Sequence, residues 1–411
     1  MSNQVPNHSQ YVYDAKRAPV QQQLVAPKPK TNNRLYAAVA GVAIAGAVVG
    51  GGIVATAGAI ISGNGGTVIV NNSAAVNWVT AVAKKAEPSV VTISVADSAG
   101  NAGSGSGIVL TADGYILTNT HVVTLEGATA SPKVDVKTTD GRVFSATVIG
   151  TDPTNDLAVI KVNPIGKLTP ATFANSDAVN VGDNVVAIGA PLGLDATVTS
   201  GIVSALNRTI QVANSAAPEN SSNGGGGLQF LQGGSSSATA INLTVIQTDA
   251  AINPGNSGGA LLDDQGNVIG VNVAIASAGA SSSGGQSGSI GVGFSIPANN
   301  AYRIAQEIIK SGKASHAMLG AYVADQVSGD SAGFSIGAKI TKLMVNSPAA
   351  AAGLKVGDVV TEFNGKAVSG ATDLTADVRL EPAGAKVTLT VLRGGQKISI
   401  DVVLGNAVNL K

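Results

Sequence analysis

Cysteine is absent from this chain of 411 residues, so no disulfide framework, thiol nucleophile or Cys-ligated metal enters the argument. Charge is scarce as well: Asp, Glu, Lys and Arg make up 12% of the chain, against about a quarter in an ordinary globular protein. The 25 basic residues balance the 25 acidic ones, and a surface with no basic excess argues against nucleic acid as a partner. Histidine occurs only at positions 8, 121 and 316, which leaves few imidazoles for acid–base chemistry. Glycine is abundant, with 52 residues. The length asks for more than one domain.

Residues 1–34 are polar, with Lys16, Arg17, Lys28, Lys30 and Arg34 against the single acid Asp14, and read as a disordered tail. Residues 35–61 carry no charge; as a helix they reach about 40 Å, against a hydrocarbon core of about 30 Å, and are expected to span a membrane once. The nearby cations all precede this stretch and none follows until Lys84, which places the N-terminus in the cytoplasm and the catalytic body outside the cell membrane. A cleaved secretory signal is the alternative, and the long polar leader argues against it. Residues 62–75 form a Gly/Asn linker.

Val76, Val79, Val82 and Ala83 recur at near-helical spacing before Pro88, with Trp78, the only tryptophan, expected to pack on the body. From Ser89 the chain changes to short β-branched runs, among them VVTISV, LAVIKV and NVVAIG. Asp113-Gly114 and Asp140-Gly141 sit between alternating apolar runs and signal hairpins. The class is mostly β, antiparallel barrels or sandwiches over residues 76–312. The Gly/Ser-rich stretches 211–240 and 277–289 read as insertions without a core. Ile304, Ile308 and Ile309 share a face of a helix at 299–310, and residues 316–409 have the size of one small α/β module with a helix at 372–380.

The stretch Ala251-Ile-Asn-Pro-Gly-Asn-Ser-Gly-Gly-Ala260 offers one hydroxyl, Ser257, among glycines that let backbone amides crowd around it. The N–H groups of Gly255 and Ser257 can converge where an oxyanion would sit. A glycine-rich chain produces such turns without chemistry, so Ser257 is judged by its partners. A serine nucleophile needs a base within reach, and the base needs a carboxylate. His8 lies in the tail and His316 at the joint between the two modules, which leaves His121, in ILTNTHVV at the end of an alternating run. Asp156, in TNDLAVIKV, stands just before an apolar run, while Asp152 reads as a turn former. The order His, Asp, Ser matches one known triad class.

The motifs TNTHVV, DPTNDLAVIKV, AINPGNSGGALLDDQGNVIGVN and IGVGFSIP resemble those of the HtrA/Deg family of trypsin-like serine proteases, from Trp78 to the C-terminus. The resemblance implies two six-stranded β-barrels and, through SPAAAAGLKVGDVVTEFNGKAV, a C-terminal PDZ module. It makes His121 the general base, Asp156 its orienter and Ser257 the nucleophile, with the Gly255 and Ser257 amides as the oxyanion hole. The 290–296 strand resembles the one that pairs with substrate; apolar Ile252, Ile290, Val292 and Phe294, with no acid among them, suggest an uncharged residue before the cleaved bond. Leu319, Gly320 and Ala321 occupy the place of the loop that binds a peptide C-terminus. Arg208, in SALNR, resembles an arginine that relays activation in some members. The family further implies unfolded or damaged proteins as substrates, a homotrimer, and chemistry with no metal or organic cofactor. The rival reading is a chaperone or binding protein whose protease fold is silent and whose PDZ module does the work.

Overall fold

In the computed structural model the described residues are 76–189, 197–216, 240–274, 291–328 and 333–407, all within one compact unit, Ile60–Lys411. The stretches 1–34 and 35–61 and the linker 62–75 lie outside them, as do 277–289 and Ile290. Among the described residues no helix is long and apolar enough to cross a membrane.

Helix α1 (Trp78–Ala86) is capped by Asn77, whose side chain accepts from Thr80 N at 2.9 Å. It buries Val82, Ala83 and Ala86 and ends at a 3-10 turn containing Pro88, which cannot donate to a helix. Trp78, expected in packing, stands in the first turn and remains 40% exposed.

The first closed antiparallel barrel is built from β1 (Val90–Ala96), β2 (Ala102–Val109), β3 (Tyr115–Thr118), β4 (Lys133–Lys137), β5 (Val143–Asp152) and β6 (Leu157–Val162), in the order β1-β2-β3-β6-β5-β4. Both Asp-Gly pairs make their hairpins, between β2 and β3 and between β4 and β5. Val91, Ile93, Val109, Ile116, Val136 and Ile160 fill the interior. The second closed barrel runs β10-β11-β12-β9-β8-β7 and uses β7 (Asn184–Gly189), β8 (Thr197–Ala213), β9 (Ala240–Thr248), β10 (Ala260–Leu262), β11 (Val268–Val273) and β12 (Gly293–Pro297). The stretch read as a coreless insertion from 211 therefore begins as strand: β8 and β9 pair out to Ala213 and Ala240. Its interior, 217–239, lies outside the described residues.

A third cluster welds the barrels together, where Ile108, Leu117, Leu157 and Val159 meet Val186, Ile188, Leu262 and Val271. Helix α3 (Ala298–Ser311) packs on β5 and β6 of one barrel and on β11 and β12 of the other. Its face of Ala301, Ile304, Ala305 and Ile308 is fully buried, and Gly312 caps it in the left-handed conformation, donating to Ile308 O at 2.7 Å.

The remaining module has a sheet of order β14-β15-β16-β18-β19: β14 (Ala321–Val327), β15 (Ser335–Leu343), β16 (Val359–Phe363), β18 (Lys386–Arg393) and β19 (Gln396–Val403). Strand β17 (Lys366–Ala367) joins β16, and β13 (Ala317–Met318) pairs with β20 (Gly405–Asn406). Helices α4 (Pro348–Ala351) and α5 (Ala371–Leu380) complete it; taking α2 as Thr120–Val123, these are five α-helices in all among the described residues. Its core is its own, centred on Ile340, Val360, Leu374 and Leu389.

Candidate active site

Where β3 ends, the chain turns at once into the single helical turn α2, so His121 sits just past the strand rather than on it. The turn is held from the β5–β6 connection. Asn119 Nδ2 and Thr120 N donate to Asp156 O at 2.8 and 3.2 Å, and the Thr120 hydroxyl donates to Leu157 O at 2.7 Å. Asp156 pays a conformational cost here, with φ +52°, which is tolerated because its backbone and side chain are fixed from several sides.

The Asp156 carboxylate faces His121. Its Oδ2 lies 2.6 Å from Nδ1 of the imidazole, and its Oδ1 accepts the His121 backbone N–H at 2.9 Å. Nδ1–H donating to a carboxylate leaves Nε2 as the ring's acceptor. Burial works against the imidazolium, but the charge and hydrogen bond of Asp156, with Glu126 adding, raise the His121 pKa above the ordinary histidine value.

Ser257 arrives from the second barrel, in the turn before β10. Gly255, at φ +99°, and Gly258, at φ +80°, shape this turn, and a Cβ on Gly258 would stand 2.2 Å from Ser106 O. The first barrel grips the turn through β2: Ser106 N donates to Ser257 O at 2.8 Å and the Ser106 hydroxyl to Gly255 O at 2.6 Å. Among the described residues no acceptor takes the Gly255 or Ser257 amide, whereas Asn256, Gly258 and Gly259 all donate within the loop or to β11. The Ser257 hydroxyl accepts from Ala274 N at 3.0 Å, and it shares no hydrogen bond with the imidazole. His121, Gly255, Ser257 and Ala274 line one open cleft of about 460 Å³. Such an arrangement can take a proton from the hydroxyl and hold an oxyanion once the Ser257 side chain turns toward the imidazole; hydrogen bonds between catalytic groups are commonly loose before substrate binds. Among the described residues no group of three or more His, Asp or Glu side chains is placed to hold a metal ion.

The other residues singled out from the sequence divide. Ile252 is buried in the second barrel beside Val185, Leu261 and Ile269, and its Cγ1 would touch a Cβ at Gly293. Phe294 points the other way, onto Ile210, Leu243 and Val245 of the β8–β9 hairpin, because neighbouring strand residues face opposite sides. Val292 is exposed just before β12, and neither it nor Ile252 nor Phe294 lines the Ser257 cleft. Arg208 is exposed beside a bulge in β8, opposite Val245. Leu319, Gly320 and Ala321 do come together, in a second cleft of about 580 Å³ that also includes Leu374 and Val378 of α5 and Thr154 and Asn214 of the barrels.

Asp152 and His316 form a second carboxylate–imidazole pair. Asp152 accepts Thr154 N at 3.2 Å, as a turn former does, but the same oxygen receives His316 Nε2 at 2.8 Å, and both carboxylate and ring are largely buried. His316 Nδ1 stands 3.3 Å from both Asn155 Nδ2 and Arg379 O. The small module is further tied down by Arg303, whose guanidinium donates to Leu380 O at 2.9 Å, and by Thr244, which donates to Asp377 at 3.3 Å. Burial pushes the Asp377 carboxyl up to about 6. No local pattern marked these contacts; only the position of His316 at the joint hinted at them.

Two family models match the chain: a trypsin-like peptidase domain over residues 105–271 and a PDZ domain over residues 288–404. The serine protease PepD of Mycobacterium tuberculosis is 43% identical over 332 residues, covering 79% of this chain. The periplasmic pH-dependent serine endoprotease DegQ of Escherichia coli is 36% identical over 312 residues, covering 75%. The chain spans 66% and 60% of the length of these two relatives. The solved structure of the HtrA-type protease AlgW with a tripeptide is 32% identical, with a TM-score of 0.55 over 80% of this chain and 97% of that one. Similarity over nearly the whole of that molecule, together with both domain models in the same order, shows that the chain belongs to the HtrA/Deg family of serine proteases, with a trypsin-like peptidase domain followed by a PDZ domain.

Proposed function

We propose that the chain is a serine endopeptidase in which Ser257 attacks the peptide carbonyl, His121 takes its proton and later gives it to the leaving amine, and Asp156 orients the imidazole. The Gly255 and Ser257 amides receive the oxyanion. The observation that carries this reading is the 2.6 Å contact of His121 Nδ1 with Asp156, on a ring that shares one cleft with Ser257 and those two amides. A fluorophosphonate probe tests it directly. It should label the wild type at Ser257 and leave Ser257→Ala unlabelled; failure to label folded wild type under any peptide condition would favour the silent chaperone or binding-protein reading.

The substrates are unfolded or damaged proteins, and peptide C-termini are held at Leu319, Gly320 and Ala321 by adding a strand beside β14. The second cleft and the PDZ domain support this. The segment carrying Ile290, Val292 and Phe294 pairs with the substrate backbone, and Ile252 supports it from the core of the second barrel, with an uncharged residue preferred before the scissile bond. Arg208 relays peptide binding to the site. Titrating an apolar peptide with a free or amidated C-terminus, against wild type and Arg208→Ala, tests both claims with a small chromogenic substrate. The domain limits are 76–312 and 316–409. Residues 35–61 anchor the chain, with residues 1–34 cytoplasmic, 62–75 a linker and the protease outside; sodium carbonate extraction of membranes should leave the full chain bound and release a form starting at residue 63. The active form is a homotrimer, which sedimentation equilibrium would check.

A further inference from the structure

Asp156 has one more partner, which neither the sequence motifs nor the triad accounts for. The hydroxyl of Ser215 donates to Asp156 Oδ1 at 3.1 Å, and both side chains are buried. Ser215 comes from the second barrel, in the turn that follows β8, whereas Asp156 and His121 belong to the first. The turn is built to aim it. Asn214 Oδ1 accepts from Ala216 N at 2.9 Å, and the Thr124 hydroxyl donates to Ser215 O at 3.0 Å. Thr124 closes the helical turn that carries His121, and its one hydroxyl proton is shared between Ser215 O and Thr120 O, the latter at 2.9 Å. Ser215 is therefore fastened at its carbonyl to the histidine's segment and at its hydroxyl to the aspartate.

We infer that Ser215 is a positioning residue for the proposed triad, fixing the Asp156 carboxylate so that Oδ2 faces His121 Nδ1 throughout proton transfer. Two donors on Oδ1, the His121 amide and the Ser215 hydroxyl, stop the carboxylate from rotating about its terminal bond. They also withdraw part of its charge, so that the proton on Nδ1 stays with the imidazole while the imidazolium forms. Removing the hydroxyl leaves Oδ1, among the described residues, with the His121 amide alone. The carboxylate is then freer to turn and more strongly negative toward the ring. The charges facing His121 are the Asp156 and Glu126 carboxylates, and the substitution removes neither.

The inference rests on the serine protease reading, and the experiment separates the two. Ser215→Ala, Ser215→Thr and Ser257→Ala would be compared with wild type on a short chromogenic peptide, with thermal midpoints recorded to show that each is folded. Ser215→Ala should lower kcat about tenfold, the order expected for one hydrogen bond to a charged group, with KM unchanged. Its acid limb of kcat/KM should move to higher pH, because a more negative Asp156 favours the imidazolium. Ser215→Thr keeps the hydroxyl and should recover both kcat and the limb. Wild-type kcat and pH profile in folded Ser215→Ala would overturn the inference, as would equal losses in the Ala and Thr variants, which would mark a packing role. Turnover surviving in Ser257→Ala would instead remove the protease reading and this inference with it.

Discussion

Asp152 and Asp156 stand four positions apart, and each holds a histidine. The distances are close, 2.8 Å to His316 and 2.6 Å to His121, both imidazoles are mostly buried at 16 and 13% exposure, and both carboxylates are almost wholly so. In both pairs burial opposes the imidazolium and the carboxylate outweighs it, raising the histidine pKa. What differs is the far side of each ring. His121 looks into a cleft that contains the Ser257 hydroxyl and two amides that meet no acceptor among the described residues. His316 Nδ1 meets the Asn155 amide and the Arg379 carbonyl, neither of which can react. A His–Asp pair is thus a device for holding an imidazole in one orientation; the third partner makes it a proton shuttle in one place and a fastening between domains in the other.

Breaking each pair should expose the difference. The largest effect belongs to the triad: Ser257→Ala or His121→Ala should each lower kcat by about a millionfold, since such groups act as a unit. His316→Ala, assayed on a peptide too short to reach the PDZ domain, should leave kcat within a factor of about three, because its effect is confined to the packing of the joint. If the two histidine variants lost comparable activity, the contrast drawn between the pairs would be wrong.

Next come the carboxylates. Asp156→Asn should cost about ten-thousandfold in kcat by presenting the wrong tautomer of His121. Asp152→Asn should change kcat far less while lowering the thermal midpoint. A steady-state comparison of the two, each checked for folding, is sufficient.

The pH dependence sharpens the comparison further. His121 must be neutral to accept the proton, and its pKa is raised, so the acid limb of kcat/KM should have its midpoint above the reference histidine value of 6.5. A midpoint clearly below it would contradict the Asp156 assignment.

The smallest effect is on stability. A folded-state pKa raised above the unfolded value means that the contribution of His316 is complete below pH 6.5 and fades as pH rises through the raised folded value. Asp377 acts in the same sense: its favourable contribution is complete below 3.8 and is lost as pH rises to about 6. His316→Ala should therefore cost about 1–3 kcal/mol at pH 5.5 and less at pH 8.5. Thermal melts at both pH values decide it, and equal losses would show that the imidazolium plays no part.

Local elements were open to sequence reasoning because their causes are local. The Asp-Gly turns, the helix at Ala298–Ser311 with its buried face, and the helix at Ala371–Leu380 follow from spacing and turn chemistry over a few residues. His121 could be singled out because the chain has so few histidines, and Ser257 because glycines surround it. The reading of Asp152 as a turn former captured its bond to Thr154 N and missed the one to His316. The family resemblance groups Phe294 with Ile252 at the substrate pocket, yet the alternation of β12 turns Phe294 away from the side on which Ile252 meets Gly293.

The sequence by itself determined the two textures of the chain, the short β-branched strands with their turns and the amphipathic helices, and it supplied one hydroxyl, one imidazole and two nearby carboxylates to choose from. Only the tertiary structure decided which partners meet. His316 reaches Asp152 across 164 positions, and Ser215 reaches Asp156 across 59. Backbone preference acts over a few residues, whereas these pairings depend on two closed barrels and a packed third module bringing remote turns together. The spacing of DPTND does not show that one carboxylate turns toward His121 and the other toward His316. The left-handed backbone at Asp156, imposed by its contacts with Asn119 and Thr120, aims that side chain at His121.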